Sequence, residues 1–128
     1  MCAWFILGRG TTSEQLQQAI LFEEQGRDAV FAGQALLSSN AWTLLVPIAA
    51  PTQRTGLGTL ATAPPGRRFW KFASRAMCND QPACGRADPR VALGEMGRDL
   101  PIMGESTALS NRAEFLGEGT QMTPDPGR

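Results

Sequence analysis

Arg67-Arg68-Phe69-Trp70-Lys71-Phe72-Ala73-Ser74-Arg75 gathers the only lysine of the chain, four basic residues in all and three aromatics. Such a mixture could hold nucleic acid or a membrane surface. Helical spacing sorts it more simply. Phe69, Phe72, Ala73, Ala76 and Met77 fall on one face, and Arg68, Lys71 and Arg75 on the other, as in a helix packed on a core with a solvated charged side. Lys71 has no glycine loop ahead of it and is no P-loop lysine. Two glycine pairs could approach a phosphate. Gly8-x-Gly10 stands between an apolar run and a capped helix, where backbone N–H groups could hold an anion, although a plain tight turn uses the same residues. Gly56-x-Gly58-x-x-Ala61 has the letters of a dinucleotide fingerprint, but Pro64-Pro65 follow where that motif opens a helix.

The residue types that are missing narrow the chemistry further. The chain has no His, which removes Ser-His-Asp triads, Cys-His pairs and imidazole metal ligands. Three cysteines, Cys2, Cys78 and Cys84, cannot fill a four-thiolate zinc site, and their odd number fits reduced thiols. The apolar run Cys2–Leu7 is too short for a signal peptide or a membrane span, so a cytoplasmic protein without a membrane partner is expected. Twelve basic residues balance twelve acidic ones. With zero net charge there is no overall pull toward nucleic acid, and none is expected as a partner. The balance is local as well as global. Residues 61–90 hold six basic residues against two acids, and 91–128 hold three against six.

The elements that would position any site follow from periodicity. Cys2–Leu7 is a continuous apolar run ending at Gly8, which suits a strand buried on both faces. Thr11 and Glu14 have capping-box spacing and Gly26 is a helix stop, predicting a helix over 12–25. Asp28–Ala32 is a second strand ended by Gly33. Asn40 caps a helix over Ala41–Gln53, in which Pro47 and Pro51 each remove a hydrogen bond. Thr55–Ala63 reads as a third strand with an ordinary end at Leu60-Ala61-Thr62, before the Pro64-Pro65-Gly66 turn. Arg67–Met77 is the amphipathic helix, Asn79–Arg90 is rich in turn residues, and Val91–Gly94 is a fourth strand. A short helix is expected over Ala108–Leu116. Residues 1–116 form the domain of this reading, and 117–128 a flexible tail. The strands start near residues 4, 29, 56 and 91, a repeat of roughly 30 residues, the size of one βα unit when about 250 residues make eight. The expected class is α/β, with about four βα units and a parallel sheet. A doubly wound sheet and part of a TIM-type (β/α) barrel fit this pattern equally well.

Residues 28–94 resemble the luciferase-like flavin-dependent monooxygenases. Phe22-Glu23-Glu24-Gln25-Gly26-Arg27-Asp28-Ala29-Val30-Phe31 is similar to that family's A-E-x-x-G-F-D-[AS]-V-[FW]. Thr52-Gln53-Arg54-Thr55-Gly56-Leu57-Gly58-Thr59 is similar to T-x-R-I-x-L-G-T. Arg67–Ala73 is similar to R-R-P-W-K-L-A. Asp80, Gly85 and Arg86 fall where L-D-x-L-S-x-G-R keeps its Asp, Gly and Arg. Val91–Gly97 looks like V-x-L-G-V-G-x-G, and Arg112-Ala113-Glu114-Phe115-Leu116 like R-A-x-x-L. Each motif is unspecific, and the weight lies in their order and spacing.

The resemblance implies a partial TIM-type barrel covering the family's N-terminal βα units. A cofactor, FMN or a deazaflavin, would lie over the C-terminal ends of the strands. It implies oxygen chemistry with reduced flavin, or hydride chemistry with deazaflavin. It places five candidate cofactor-binding residues at the strand ends: Gln34, Ala61, Thr62, Glu95 and Met96. In some family members a non-proline cis peptide recurs near Leu60-Ala61-Thr62. The partners implied are a homo-oligomer mate or a barrel-completing subunit, and a supplier of reduced flavin. The chain departs from the family in having Gln34-Ala35 where acidic and His residues are usual, in Pro47 and Pro51, and in residues 87–90, which look inserted. It reads as a truncated or degenerate member, or alternatively as a catalytically inactive barrel fragment with a self-association role.

Overall fold

A computed structural model of the chain describes residues 2–34, 40–63, 69–93, 99–102, 104 and 107–122. Strand β1 (Trp4–Ile6) leads to α1 (Thr12–Glu24), β2 (Ala29–Gly33) to α2 (Ala41–Ala49), and β3 (Gly56–Thr62) to α3 (Phe69–Ala83). Strand β4 (Ala87–Val91) is followed by the single turn α4 (Asp99–Ile102) and by α5 (Leu109–Met122). The four strands form one parallel sheet in the order β1-β2-β3-β4. A doubly wound sheet reverses direction within its order. This one runs one way, and right-handed crossovers then put every connecting helix on the same face. The chain is therefore α/β, a partial TIM-type barrel of four βα units.

Side-chain alternation divides the sheet. Val30, Ala32 and Leu57 face the helices and pack with Ala19, Ala41, Leu44, Leu45, Ile48 and Ala49. Phe5 points the same way and lies against Phe22 of α1, ring centroids 3.9 Å apart. The opposite face, the interior of the partial barrel, carries Trp4, Ile6, Phe31, Gly58, Asp88 and Arg90, as the register sets them. There the Phe31 ring meets the edge of Trp4 at 5.6 Å, and the Arg90 guanidinium lies 4.5 Å above Phe31. Arg90 is held by Asp88 at 3.1 Å. Phe31 lies over β3 only because residue 58 is glycine. A Cβ there would run into the ring and the Asp88 carbonyl.

Local chemistry explains where the helices start and stop. The Thr11 hydroxyl accepts the Glu14 N–H, and the Glu14 carboxylate accepts the Thr11 N–H at 2.7 Å, a complete capping box. Asn40 accepts the N–H groups of Trp42 and Thr43, as expected of a cap. The helix that follows ends at Ala49, four residues before the sequence expectation. Pro51 has no N–H to continue it, and the Thr52 hydroxyl instead donates to the Ile48 carbonyl at 2.7 Å.

Further on, structure and expectation part in three places. Helix α3 continues past Met77 to Ala83, through Asn79 and Pro82. Asn79 turns its side chain back onto the Arg75 carbonyl rather than breaking the helix. The stop comes at Cys84 and Gly85, both left-handed at φ 52° and 79°. The fourth strand is Ala87–Val91, not 91–94, so the residues that look inserted are the strand itself. Its charges and Pro89 hide it from a search for apolar runs, yet β4 has no neighbour beyond it among the described residues, where proline is tolerated. Lastly, α5 runs to Met122 rather than ending at Leu116, so 117–122 are helical. Gly117 and Gly119 each cost a helix only about 1 kcal/mol.

Candidate functional site at the strand ends

Two loops are fixed before any site can form. Glu23, on the last turn of α1, accepts the backbone N–H groups of Gln53, Arg54 and Thr55 at 2.9–3.0 Å. Its partial burial works against the charge. The N–H groups of Thr55, Arg54 and Gln53, and the Thr55 hydroxyl, outweigh that and hold its pKa at about 2 against an ordinary 4.5. This carboxylate sets the entry to β3. Arg86, just before β4, donates from Nε to the Ala83 carbonyl, from Nη1 to the Thr55 carbonyl and Thr52 hydroxyl, and from Nη2 to the carbonyls of Ala49 and Thr52. One guanidinium thus joins the ends of α2 and α3 to the start of β3.

The loop after β1 is closed by its own side chains. Gln15 Nε2 donates to the Gly8 carbonyl, and the Gly8 N–H donates to Gln18 Oε1. Glu14 accepts both the N–H and the hydroxyl of Thr11. Those bonds also hold the Glu14 carboxyl below its ordinary pKa. The anion cradle considered for Gly8-x-Gly10 therefore gives way to the tight turn, because a carboxylate of the protein already occupies the helix start.

The ends of β2 and β3 meet. Gln34 follows β2, and Ala61 and Thr62 are the last residues of β3. The peptide bond between Leu60 and Ala61 is cis, so this is not the ordinary strand end expected from the residues. Leu60 and Ala61 together stand opposite the single residue Arg90, between the pairs Thr59–Pro89 and Thr62–Val91. Thr62 is wholly buried. Its hydroxyl accepts the Trp42 indole N–H at 3.1 Å and lies 3.0 Å from Gln34 Oε1 and 3.2 Å from the Thr59 hydroxyl. Thr59 donates onward to the Arg90 carbonyl. Trp42 is in turn packed edge-on against Phe72 of α3.

Of the candidate site residues, the structure thus brings Gln34 and Thr62 into contact and sets Ala61 beside them. Glu95 and Met96 lie outside the described residues. The Thr62 side chain faces the helix layer and is closed to any ligand. What remains open at the rim is the half-buried Gln34, whose Nε2 has no partner among the described residues, and Gly33, with nothing within 4 Å of where a Cβ would stand. Sequence reasoning missed Trp42 as a hydrogen-bond donor and Glu23 as a loop anchor. Glu23 did lie inside a matched motif. For Trp42 the only sign was an indole two residues after a helix cap. Cys2, Cys78 and Cys84 are exposed free thiols. Among the described residues no helix is long and apolar enough to cross a membrane, and no group of three His, Cys, Asp or Glu could hold a metal ion.

No family model matches the chain, and no curated protein sequence is detectably similar to it. Solved structures are similar in fold. An F420-dependent secondary alcohol dehydrogenase, in complex with an F420-acetone adduct, matches with a TM-score of 0.81 at 22% identity, over 94% of this chain and 41% of its own. The oxygenating constituent of 3,6-diketocamphane monooxygenase from Pseudomonas putida, in complex with FMN, matches at 0.83 and 17% identity, over 95% and 38%. A monooxygenase from Streptomyces bottropensis matches at 0.79 and 19% identity, over 94% and 41%. The chain spans about two fifths of the length of these structures. At these identities the likeness establishes the fold: the four βα units are arranged as in F420- and FMN-dependent enzymes.

Proposed function

We propose that this chain forms four βα units of a luciferase-like flavin-dependent oxidoreductase or monooxygenase, and that the ends of β2 and β3 are one wall of its cofactor site. The observation that carries this reading is the one-way parallel order β1-β2-β3-β4, which overlays nearly the whole chain on enzymes whose names include F420 or FMN. The order of the matched sequence motifs supports it.

The rim residues fit a flat ring. Gly33 leaves space beside its Cα, Ala61 adds a small half-buried side chain, and Gln34 offers an amide donor. A bound reduced FMN or deazaflavin would supply the hydride or oxygen chemistry. The chain's residues would orient the ring through Gln34 and let it approach the backbone at Gly33. Among the described residues β1 and β4 each leave an unpaired edge, which invites further strands. Those strands would come from more of the same polypeptide, a second copy, or another subunit, and a separate reductase would supply reduced flavin.

Titration of FMN with the purified protein, followed by flavin fluorescence, tests the reading. Saturable quenching is expected, weakened by Gly33→Ala. An unquenched flavin at millimolar protein would remove the enzyme reading. A second reading, a non-catalytic fragment that self-associates, is favoured by Trp4, Phe5 and Ile6, which are 52%, 40% and 46% exposed along β1. A strictly monomeric protein in sedimentation velocity would contradict it.

A further inference from the structure

Gln34 directly follows β2 at the rim, and what an amide offers a ligand depends on which way it is turned. We infer that Trp42 and Thr62 are positioning residues that lock the Gln34 amide with its NH2 group toward the rim. The ligand that binds there then presents a carbonyl or another oxygen acceptor to this point. The inference rests on the flavin-site reading for the ligand, but not for the lock itself.

The argument joins the placement of Gln34 Oε1 against the Thr62 hydroxyl to a count of protons and lone pairs. The Trp42 indole is a donor only, so at 3.1 Å Thr62 must accept from it. Thr62 has one hydroxyl proton, with two oxygens in reach: Gln34 Oε1 at 3.0 Å and Thr59 Oγ1 at 3.2 Å. An amide carbonyl is the stronger acceptor and here the nearer one. The Thr59 proton is directed elsewhere, to the Arg90 carbonyl at 3.2 Å. The chain of donation is therefore Trp42 to Thr62 to Gln34. It ends with Gln34 Nε2 as a donor that no described residue takes up. Burial makes the direction firm. Trp42 is 4% exposed and Thr62 0%, so water does not compete for either group. A freely rotating amide would pay rotamer entropy on binding, whereas one already locked would not. The same oxygen-acceptor preference follows whether the ligand is a flavin, whose ring carries two carbonyls, or a smaller carbonyl compound.

The experiment uses isotope-labelled full chain and two readouts. By NMR, the Gln34 side-chain NH2 signals and the Trp42 indole N–H signal are assigned in the free protein. Thr62→Val keeps shape and burial but removes the hydroxyl. It is expected to shift both sets of signals and to speed solvent exchange of the indole proton, whereas Thr62→Ser leaves both near the wild-type positions. By FMN titration, Thr62→Val and Trp42→Phe are each expected to weaken binding about five- to tenfold, the loss of one hydrogen bond, with Thr62→Ser close to wild type. Gln34 NH2 signals that do not move in Thr62→Val, or nuclear Overhauser contacts placing that NH2 against Thr62, would overturn the lock. If Thr62→Val does not fold, Trp42→Phe, which retains the ring contact with Phe72, decides the same question through the Gln34 signals. A wild-type chain that binds no FMN would defeat the flavin reading alone, and the NMR result would still settle the lock.

Discussion

Removing the Glu23 carboxylate should destabilise the fold by an amount that depends on pH. In the structure three consecutive backbone N–H groups, those of Gln53, Arg54 and Thr55, converge on this one side chain. They hold its pKa at about 2, against 4.5 in an unfolded chain. That difference of about 2.5 units would correspond to about 3.4 kcal/mol at 1.36 kcal/mol per unit. The carboxylate is only half-buried, so screening by water reduces the figure to about 1.5 kcal/mol. The folded-state pKa is depressed. The contribution is therefore complete above about pH 4.5 and disappears as pH falls toward about 2. Glu23→Gln keeps the size of the side chain and abolishes its charge. Urea unfolding followed by circular dichroism should find the variant about 1.5 kcal/mol less stable at pH 7, or about 5–6 °C lower in Tm. The difference should persist to about pH 5, shrink through about pH 3 and close as pH falls to about 2. Equal stabilities at pH 7, or a difference that widens in acid, would refute the assignment of Glu23 as the anchor of the loop before β3.

Arg86→Met should cost about 2–4 kcal/mol in the same assay, because it removes the guanidinium donors of the Ala49, Thr52 and Thr55 carbonyls between α2 and β3. Arg86→Lys should recover less than half of that, since a single ammonium cannot reproduce the fork. Gly58→Ala should lower stability by about 1–3 kcal/mol and change the near-ultraviolet dichroism of Trp4, as the Phe31 ring is forced off β3. Gly33→Ala should leave the melting temperature within about 1 °C of wild type while weakening FMN binding, since its Cβ meets nothing in the free protein.

The first three strands were legible because each ends in or near a glycine and parallel strands are rich in apolar residues, although β1 is exposed along Trp4, Phe5 and Ile6 rather than buried on both faces. The fourth was not. Ala87-Asp88-Pro89-Arg90-Val91 alternates in burial at an edge and places its charged pair on the interior face, beside Phe31. The boundary of α2 was misjudged by four residues because Pro47 is accommodated inside the helix and Pro51 is not. The strand ends near Gln34, Ala61 and Thr62 followed from apolar runs bounded by glycine and proline, and their candidacy as site residues from the family resemblance. Their side-chain directions did not. That Thr62 turns to the helix layer depends on Trp42, twenty residues away in sequence and 3.1 Å away in space. Composition gives no sign of such a bond. The same holds for Glu23, whose three partners lie thirty or more residues further along.

Thermal unfolding by circular dichroism, with and without excess FMN, tests the central claim most directly. A ligand raises the melting temperature only of a folded state that binds it. The account predicts a cooperative transition that moves upward with FMN in wild type and less in Gly33→Ala. A transition indifferent to FMN at every concentration would mean that the strand ends do not form a flavin site, and that the likeness to flavin enzymes is one of fold only.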